Sequence, residues 1–313
     1  MKEDTKFISA DFLARHRAAI DSAMRVQLRQ WGAHGWRIVG KPPRIRLEVV
    51  VPTTVQRPIH AVGPIQIADR WIKPSVVSSR VNIRRERWTD GTDPTAIGLS
   101  RAVAPGARVR VGRGDLQEFV GVAAVLLVSG RPSILTCGHA GAFAYSDEIL
   151  AGDEPDGDAI ATLETNLLEE SSPLDAAVCP LTEAGLELLR ESRDAPTWRF
   201  KKVKTPGVED NDQSSVFWQT HDGDDTAPTA PVQSFSGETA ALFGPRGPRR
   251  GFVETGHAVE AGDSGSLLSL SSSLYGLCSG LVGHTAFFTP IAAVITRINK
   301  QGKICSIYSP PAG

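Results

Sequence analysis

The chain has 313 residues, a formal net charge of −1, 41% hydrophobic and 22% charged residues, which excludes a wholly disordered or fibrous protein and gives ample length to bury a core. Its 30 glycines and 21 prolines, beside only 6% aromatic residues, favour many turns and short strands over long helices. The near-zero charge hides two opposite segments: residues 1–113 hold 21 Lys/Arg against 9 Asp/Glu, net +12, and residues 114–313 hold 13 against 26, net −13.

In chain order, residues 9–31 read as an amphipathic helix, with Leu13, Ile20, Met24, Leu28 and Trp31 at helical spacing and Gly32 and Gly35 beyond its end. Arg44–Val51 alternates, with Ile45, Leu47, Val49 and Val51 on one face and Arg44, Arg46 and Glu48 on a face expected to be wet. Short β-branched runs follow at Ile65–Ile67, Val76–Val77 and Val81–Ile83. Arginines cluster here, but only Trp71 and Trp88 lie near them. No nucleic-acid module is recognisable, so nucleic acid is not expected as a partner. Beyond residue 100, Phe119–Val128 and Ser133–Thr136 read as two buried strands around a turn, and Ala159–Leu163 and Ala176–Leu181 as two more. Thr182–Ser192 reads as a short helix. Residues 201–250, rich in Pro, Gly, Asp and Ser, read as long surface loops, His257 as a surface-loop histidine, and the acidic run Asp222–Asp225 as a solvated loop. Ser266–Leu270, Leu274–Ser279 and Phe287–Pro290 are strand-like, and Ile291–Lys300 is a terminal helix.

No apolar core follows the first lysines, and the longest apolar run, Phe119–Val128, is about half of the roughly 20 residues a membrane span needs. A cytoplasmic protein is expected, without membrane contact. Cys137, Cys179, Cys278 and Cys305 form no close pair, so free buried thiols are expected and neither a metal nor another cofactor is.

Three short motifs carry chemistry: Thr136-Cys137-Gly138-His139, Asp175-Ala176-Ala177 and Gly262-Asp263-Ser264-Gly265. A serine hydroxyl is a weak nucleophile at neutral pH and needs a base that titrates near 7, which histidine supplies. The imidazole in turn needs an acceptor on its far nitrogen, and a buried carboxylate serves best. Asp175 precedes an apolar run and is expected to be partly buried. Glycines around Ser264 let the backbone turn, so that the N–H groups of Gly262 and Ser264 form the natural oxyanion pair.

These motifs, in the order His, Asp, Ser, resemble those of the chymotrypsin/trypsin-like serine proteases, over roughly residues 114–306. Gly276-Leu277-Cys278-Ser279-Gly280 and Thr289-Pro290-Ile291 are similar to that family's substrate-binding strand and the strand before its last helix. The resemblance implies a mainly β fold, a chymotrypsin-like double antiparallel β-barrel at 114–313. Residues 1–113, outside the resemblance, read as a basic N-terminal α+β extension, for which a regulatory partner is one expectation. It implies an endopeptidase acting on protein or peptide substrates through an acyl-enzyme. His139, Asp175 and Ser264 would be catalytic, and Ala258, Ser279 and Gly280 would line the substrate pocket. Ala258 stands where trypsin-like enzymes carry an acid, so a small or medium apolar residue is expected before the scissile bond. Arg37-Ile38-Val39-Gly40 resembles a zymogen cleavage site but lies much further from His139 than that family places it, and a chance match is the preferred reading. The alternative from another class is a catalytically inactive fold that binds a peptide or partner.

Overall fold

The structure is a computed structural model and describes residues 5–31, 33, 35–52, 62–79, 102–113, 117–140, 143, 146–151, 157–168, 174–218, 229–239, 252–259, 262–282 and 285–310. The expected strand at Val81–Ile83 and the acidic run at Asp222–Asp225 lie outside them.

The extension opens with α1 (Ala10–Trp31), which starts where Ser9 Oγ accepts the Phe12 N–H at 3.2 Å, a side-chain cap on an otherwise unsatisfied donor. Its apolar stripe, Leu13, Ile20, Met24, Leu28 and Trp31, is buried as the spacing predicts. Five strands follow: β1 (Gly35–Val39), β2 (Arg46–Pro52), β3 (Ile65–Ile67), β4 (Arg70–Ile72) and β5 (Ser75–Ser79). The helix packs on β1 and β3. Ile38, Ile45, Leu47, Val49 and Ile72, all fully buried, complete a core belonging to the extension. The expected wet face of β2 is corrected at Glu48, which is only 4% exposed because Arg37 and Arg46 engage both its oxygens.

The first barrel comprises β6 (Arg108–Val111), β7 (Glu118–Gly121), β8 (Ala124–Val128), β9 (Arg131–Thr136), β10 (Glu148–Leu150), β11 (Ala159–Thr162), β12 (Thr165–Asn166) and β13 (Ala177–Pro180). β7 and β8 act as one bent strand. At the bend Val122 N–H bonds Ala107 O on the β6 side at 2.7 Å, and Ala123 N–H bonds Leu135 O on the β9 side at 2.9 Å. β11 and β12 bend in the same way, Leu163 N–H reaching Asp147 O and Glu164 N–H reaching Val178 O. With these two bends, antiparallel pairing runs β6–β7/β8–β9–β13–β12/β11–β10 and returns to β6. The barrel closes, which removes the open edges that six short strands would otherwise expose. The charge break at 113 therefore falls inside this barrel, since β6 precedes it.

After α2 (Glu183–Glu191), capped by Thr182, come β14 (Lys202–Val203), β15 (Ser214–Trp218), β16 (Thr229–Thr239), β17 (Val253–Thr255), β18 (Leu267–Leu270), β19 (Ser273–Val282) and β20 (Thr285–Pro290). Six of these close a second antiparallel barrel, β15–β18–β19–β20–β17–β16, with β16 returning to β15. Phe217, Val232, Leu268, Tyr275 and Phe288 fill it. The loop expected across 201–250 is corrected here: β14, β15 and β16 lie within it. β16 is long enough to pair with β15 at its start, β17 in its middle and β1 at its end. The extension sheet is thus continuous with the second barrel. Finally α3 (Ile291–Lys300) buries Ile291, Val294 and Ile298, and β21 (Cys305–Ile307) pairs with β8 of the first barrel.

Candidate active site

His139 follows the end of β9. The Thr136 hydroxyl donates to Gly121 O at 2.8 Å, and Asn166 Nδ2 donates to Gly138 O at 3.0 Å, so the segment leading into the histidine is tied down at two points. Asp175 lies just before β13 and is wholly buried, beyond the partial burial expected of it. Its Oδ1 accepts the Gly138 N–H at 2.9 Å, and its Oδ2 lies 2.7 Å from His139 Nδ1. On the far side of the ring, Nε2 is 2.9 Å from Ser264 Oγ. The three side chains form one hydrogen-bonded chain across the two barrels, with the histidine side chain 22% exposed.

The turn holding Ser264 is set by its glycines. Gly262 has φ +90° and Gly265 has φ +83°, in the region that favours glycine. A Cβ on Gly265 would come within 2.6 Å of Gly121 O and 2.9 Å of Cys137 N. The turn is laced to both barrels: Gly121 N–H donates to Ser264 O at 2.7 Å, Gly265 N–H to Cys278 O at 2.8 Å, and Cys278 N–H to Ser266 O at 2.9 Å. Gly262 and Ser264, the expected oxyanion donors, flank the buried Asp263 in this turn.

The hydrogen bonds at Cys278 set the strand carrying the expected pocket residues directly beside the nucleophile turn. Ser279 is buried, with its hydroxyl 2.8 Å from Thr289 Oγ1. Gly280, at φ +139°, sits at an irregularity in the β19–β20 ladder. Ala258 is exposed just before the turn. His257 corrects its surface-loop reading: it is 3% exposed, packed on Phe217 and Phe288 inside the second barrel. Ser215 spends its one hydroxyl proton on Ala230 O at 2.7 Å, so His257 Nε2, 3.1 Å from Ser215 Oγ, must be the donor. Burial lowers its pKa to about 4. His284 lies outside the described residues.

Cys137, Cys179, Cys278 and Cys305 are free and buried, and burial raises every one of their thiol pKa values. Among the described residues no His/Cys/Asp/Glu cluster could hold a metal, and no helix is long and apolar enough to cross a membrane. Sequence reasoning missed Gly121 and Asn166, which orient the site through backbone contacts that no local pattern announces. Arg37-Ile38-Val39-Gly40 lies in and at the end of β1, paired on both sides, with Ile38 fully buried.

The two closed six-stranded antiparallel barrels, with this site at their junction, form the chymotrypsin-like double barrel expected from the sequence. No family model and no curated protein sequence matches the chain. Among solved structures it is similar to a glutamic-acid-specific serine protease that uses a histidine triad in substrate binding, at 16% identity and TM-score 0.48, over 66% of this chain and 100% of the other. It is also similar to Thermobifida fusca Protease A, at 15% identity and TM-score 0.45 over the same shares. A third likeness is to an alpha-lytic protease homologue, at 16% identity and TM-score 0.47, over 63% of this chain and 97% of the other.

Proposed function

We propose that this chain is a serine endopeptidase. The observation that carries the reading is the hydrogen-bonded chain from Asp175 through His139 to Ser264, at 2.7 and 2.9 Å. In this reading Asp175 fixes the His139 tautomer with its proton on Nδ1, leaving Nε2 to take the Ser264 proton as Oγ attacks a peptide carbonyl. The negative charge that develops on the carbonyl oxygen falls to the N–H groups of Gly262 and Ser264. His139 then passes its proton to the leaving amine, an acyl-Ser264 ester remains, and water activated by the same imidazole hydrolyses it. An apolar Ala258 with Ser279 and Gly280 supports a small or medium apolar residue before the scissile bond. Free cysteines support action in a reducing, cytoplasmic setting. The extension, with a core of its own, supports a regulatory partner docking through residues 1–113.

The test is labelling by a fluorophosphonate probe, which phosphonylates only an activated serine. Wild type is expected to label and Ser264→Ala to stay unlabelled. Equal labelling of the two, or none of wild type, would overturn the proposal, and none of wild type would favour a peptide-binding module on the same fold.

A further inference from the structure

The residue before His139 is Gly138, and both of its backbone polar groups are held by side chains. Its N–H donates to Asp175 Oδ1 at 2.9 Å, and its carbonyl accepts from Asn166 Nδ2 at 3.0 Å. Asn166, buried on β12, is in register with Ala177 on β13, and Ala177 with Thr136 on β9. Its side chain therefore reaches past β13 to the chain that leaves β9. Two partners of opposite kind fix the orientation of the amide. The Leu168 N–H can only donate and meets Oδ1 at 3.1 Å, whereas the Gly138 carbonyl can only accept and takes the NH₂. Gly138 has no positive φ, so its glycine is required for space. A Cβ there would lie 2.6 Å from Asn166 Oδ1, 2.9 Å from Leu168 Cβ and 3.1 Å from Ala176 N. A glycine needed for space also brings wide backbone freedom, here directly before the histidine. Asn166 removes that freedom at the peptide group that enters His139.

We infer that Asn166 is a positioning residue for the general base: its amide NH₂ fixes the Gly138–His139 peptide, so that the imidazole faces Asp175 and Ser264 at once. This rests on the reading of Ser264 as the nucleophile. The two holds act on successive peptide groups, Asp175 on the one that enters Gly138 and Asn166 on the one that leaves it. With the first alone, the ring would keep its acid but could swing about it, away from Ser264. The effect falls on proton transfer from Ser264 and not on binding of the group that Ser264 attacks.

The experiment measures the maximal rate and the half-saturating concentration of fluorophosphonate labelling in the full chain, for wild type, Asn166→Ala and Asn166→Ser, with melting followed by circular dichroism. A serine hydroxyl can still accept the N–H two residues on, but it is one atom too short to reach Gly138 O, so Asn166→Ser removes the contact to Gly138 alone. Both variants should melt somewhat lower, since a buried carbonyl loses its donor. Both should label about 10- to 100-fold slower at saturation, the range that a misplacement of about 1 Å produces, with the half-saturating concentration unchanged. Lower melting with a wild-type maximal rate would make Asn166 merely structural and overturn the inference. A loss confined to the half-saturating concentration would overturn it as well, by assigning Asn166 to the shape of the pocket. So would a slow Asn166→Ala beside a wild-type Asn166→Ser, which would assign the effect to the 166–168 turn. If Asn166→Ala does not fold, the maximal rate of Asn166→Ser decides alone. A wild type that does not label fails the reading of Ser264 itself, whereas a labelled wild type with equally fast variants fails only the role of Asn166.

Discussion

Both carboxylate oxygens of Asp175 are committed, one to the Gly138 N–H and one to His139, in a site with no water access to the acid. That makes Asp175→Asn informative. If the amide NH₂ faces His139, the ring must take the tautomer with its proton on Nε2, which cannot accept from Ser264. If the amide is turned over, its NH₂ meets the Gly138 N–H, donor to donor. Either way labelling should slow by about 10⁴-fold, the penalty of the wrong tautomer. The side-chain volume is kept, so melting should move little; a variant labelling within tenfold of wild type would contradict this account. His257 gives a second prediction at this scale. Its ordinary pKa of 6.5 falls to about 4 in the folded chain. The unfolded chain therefore binds a proton first as pH drops. The His257 contribution should leave stability level above about pH 6.5 and erode it between 6.5 and 4, by up to about 3 kcal/mol. Gln at 257 can still donate to Ser215 without titrating, so denaturant titrations of His257→Gln should lack this part of the slope. An identical slope in the two proteins would exclude His257 as its source.

Among the elements, the Ser264 turn shows what close approach requires. At Gly265 an alanine meets two penalties, a positive φ worth about 1–2 kcal/mol and a Cβ only 2.6 Å from a backbone oxygen that cannot swing aside. Gly265→Ala should cost about 3 kcal/mol or more in urea unfolding and abolish labelling. Gly63, with nothing within 4 Å of a built Cβ and no positive φ, is the control; alanine there should change stability by no more than about 1 kcal/mol. Equal effects at the two positions would show that the turn is not packed as described. The site was legible in the sequence because such constraints act over neighbouring residues: a glycine-flanked serine, a histidine at a strand end, an acid before an apolar run. The strands of the apolar run Phe119–Val128 were legible for the same reason. β16 was not, because Pro231, Gly237 and its polar residues deny it a strand-like pattern and its partners β15, β17 and β1 are set by tertiary pairing. β6 was obscured by chemistry, since alternating arginines imply a wet face and here both are buried.

For the whole molecule, the opposing charges of the two segments meet at the join between extension and second barrel. Arg37 on β1 lies 3.0 Å from Glu48 on β2 and 3.3 Å from Glu254 on β17, and both acids are 4% exposed. Burial alone would lower the Arg37 pKa, but Glu254 and Glu48 outweigh it and raise it. Removing the cation should therefore hurt more than removing a surface ion pair, which is worth about 1 kcal/mol or less. Arg37→Met takes away the cation that Glu48 and Glu254 both engage, and should cost about 3–5 kcal/mol. The loss should appear in denaturant unfolding as one shifted transition, because β1 is laddered to β16 and the extension cannot detach without stripping a barrel strand. Adding Glu48→Gln and Glu254→Gln to Arg37→Met should recover most of the loss, since the penalty lies in the buried negative charge and not in the missing attraction. An early transition of the extension alone, with the barrels melting as in wild type, would instead make residues 1–79 a separately folding appendage.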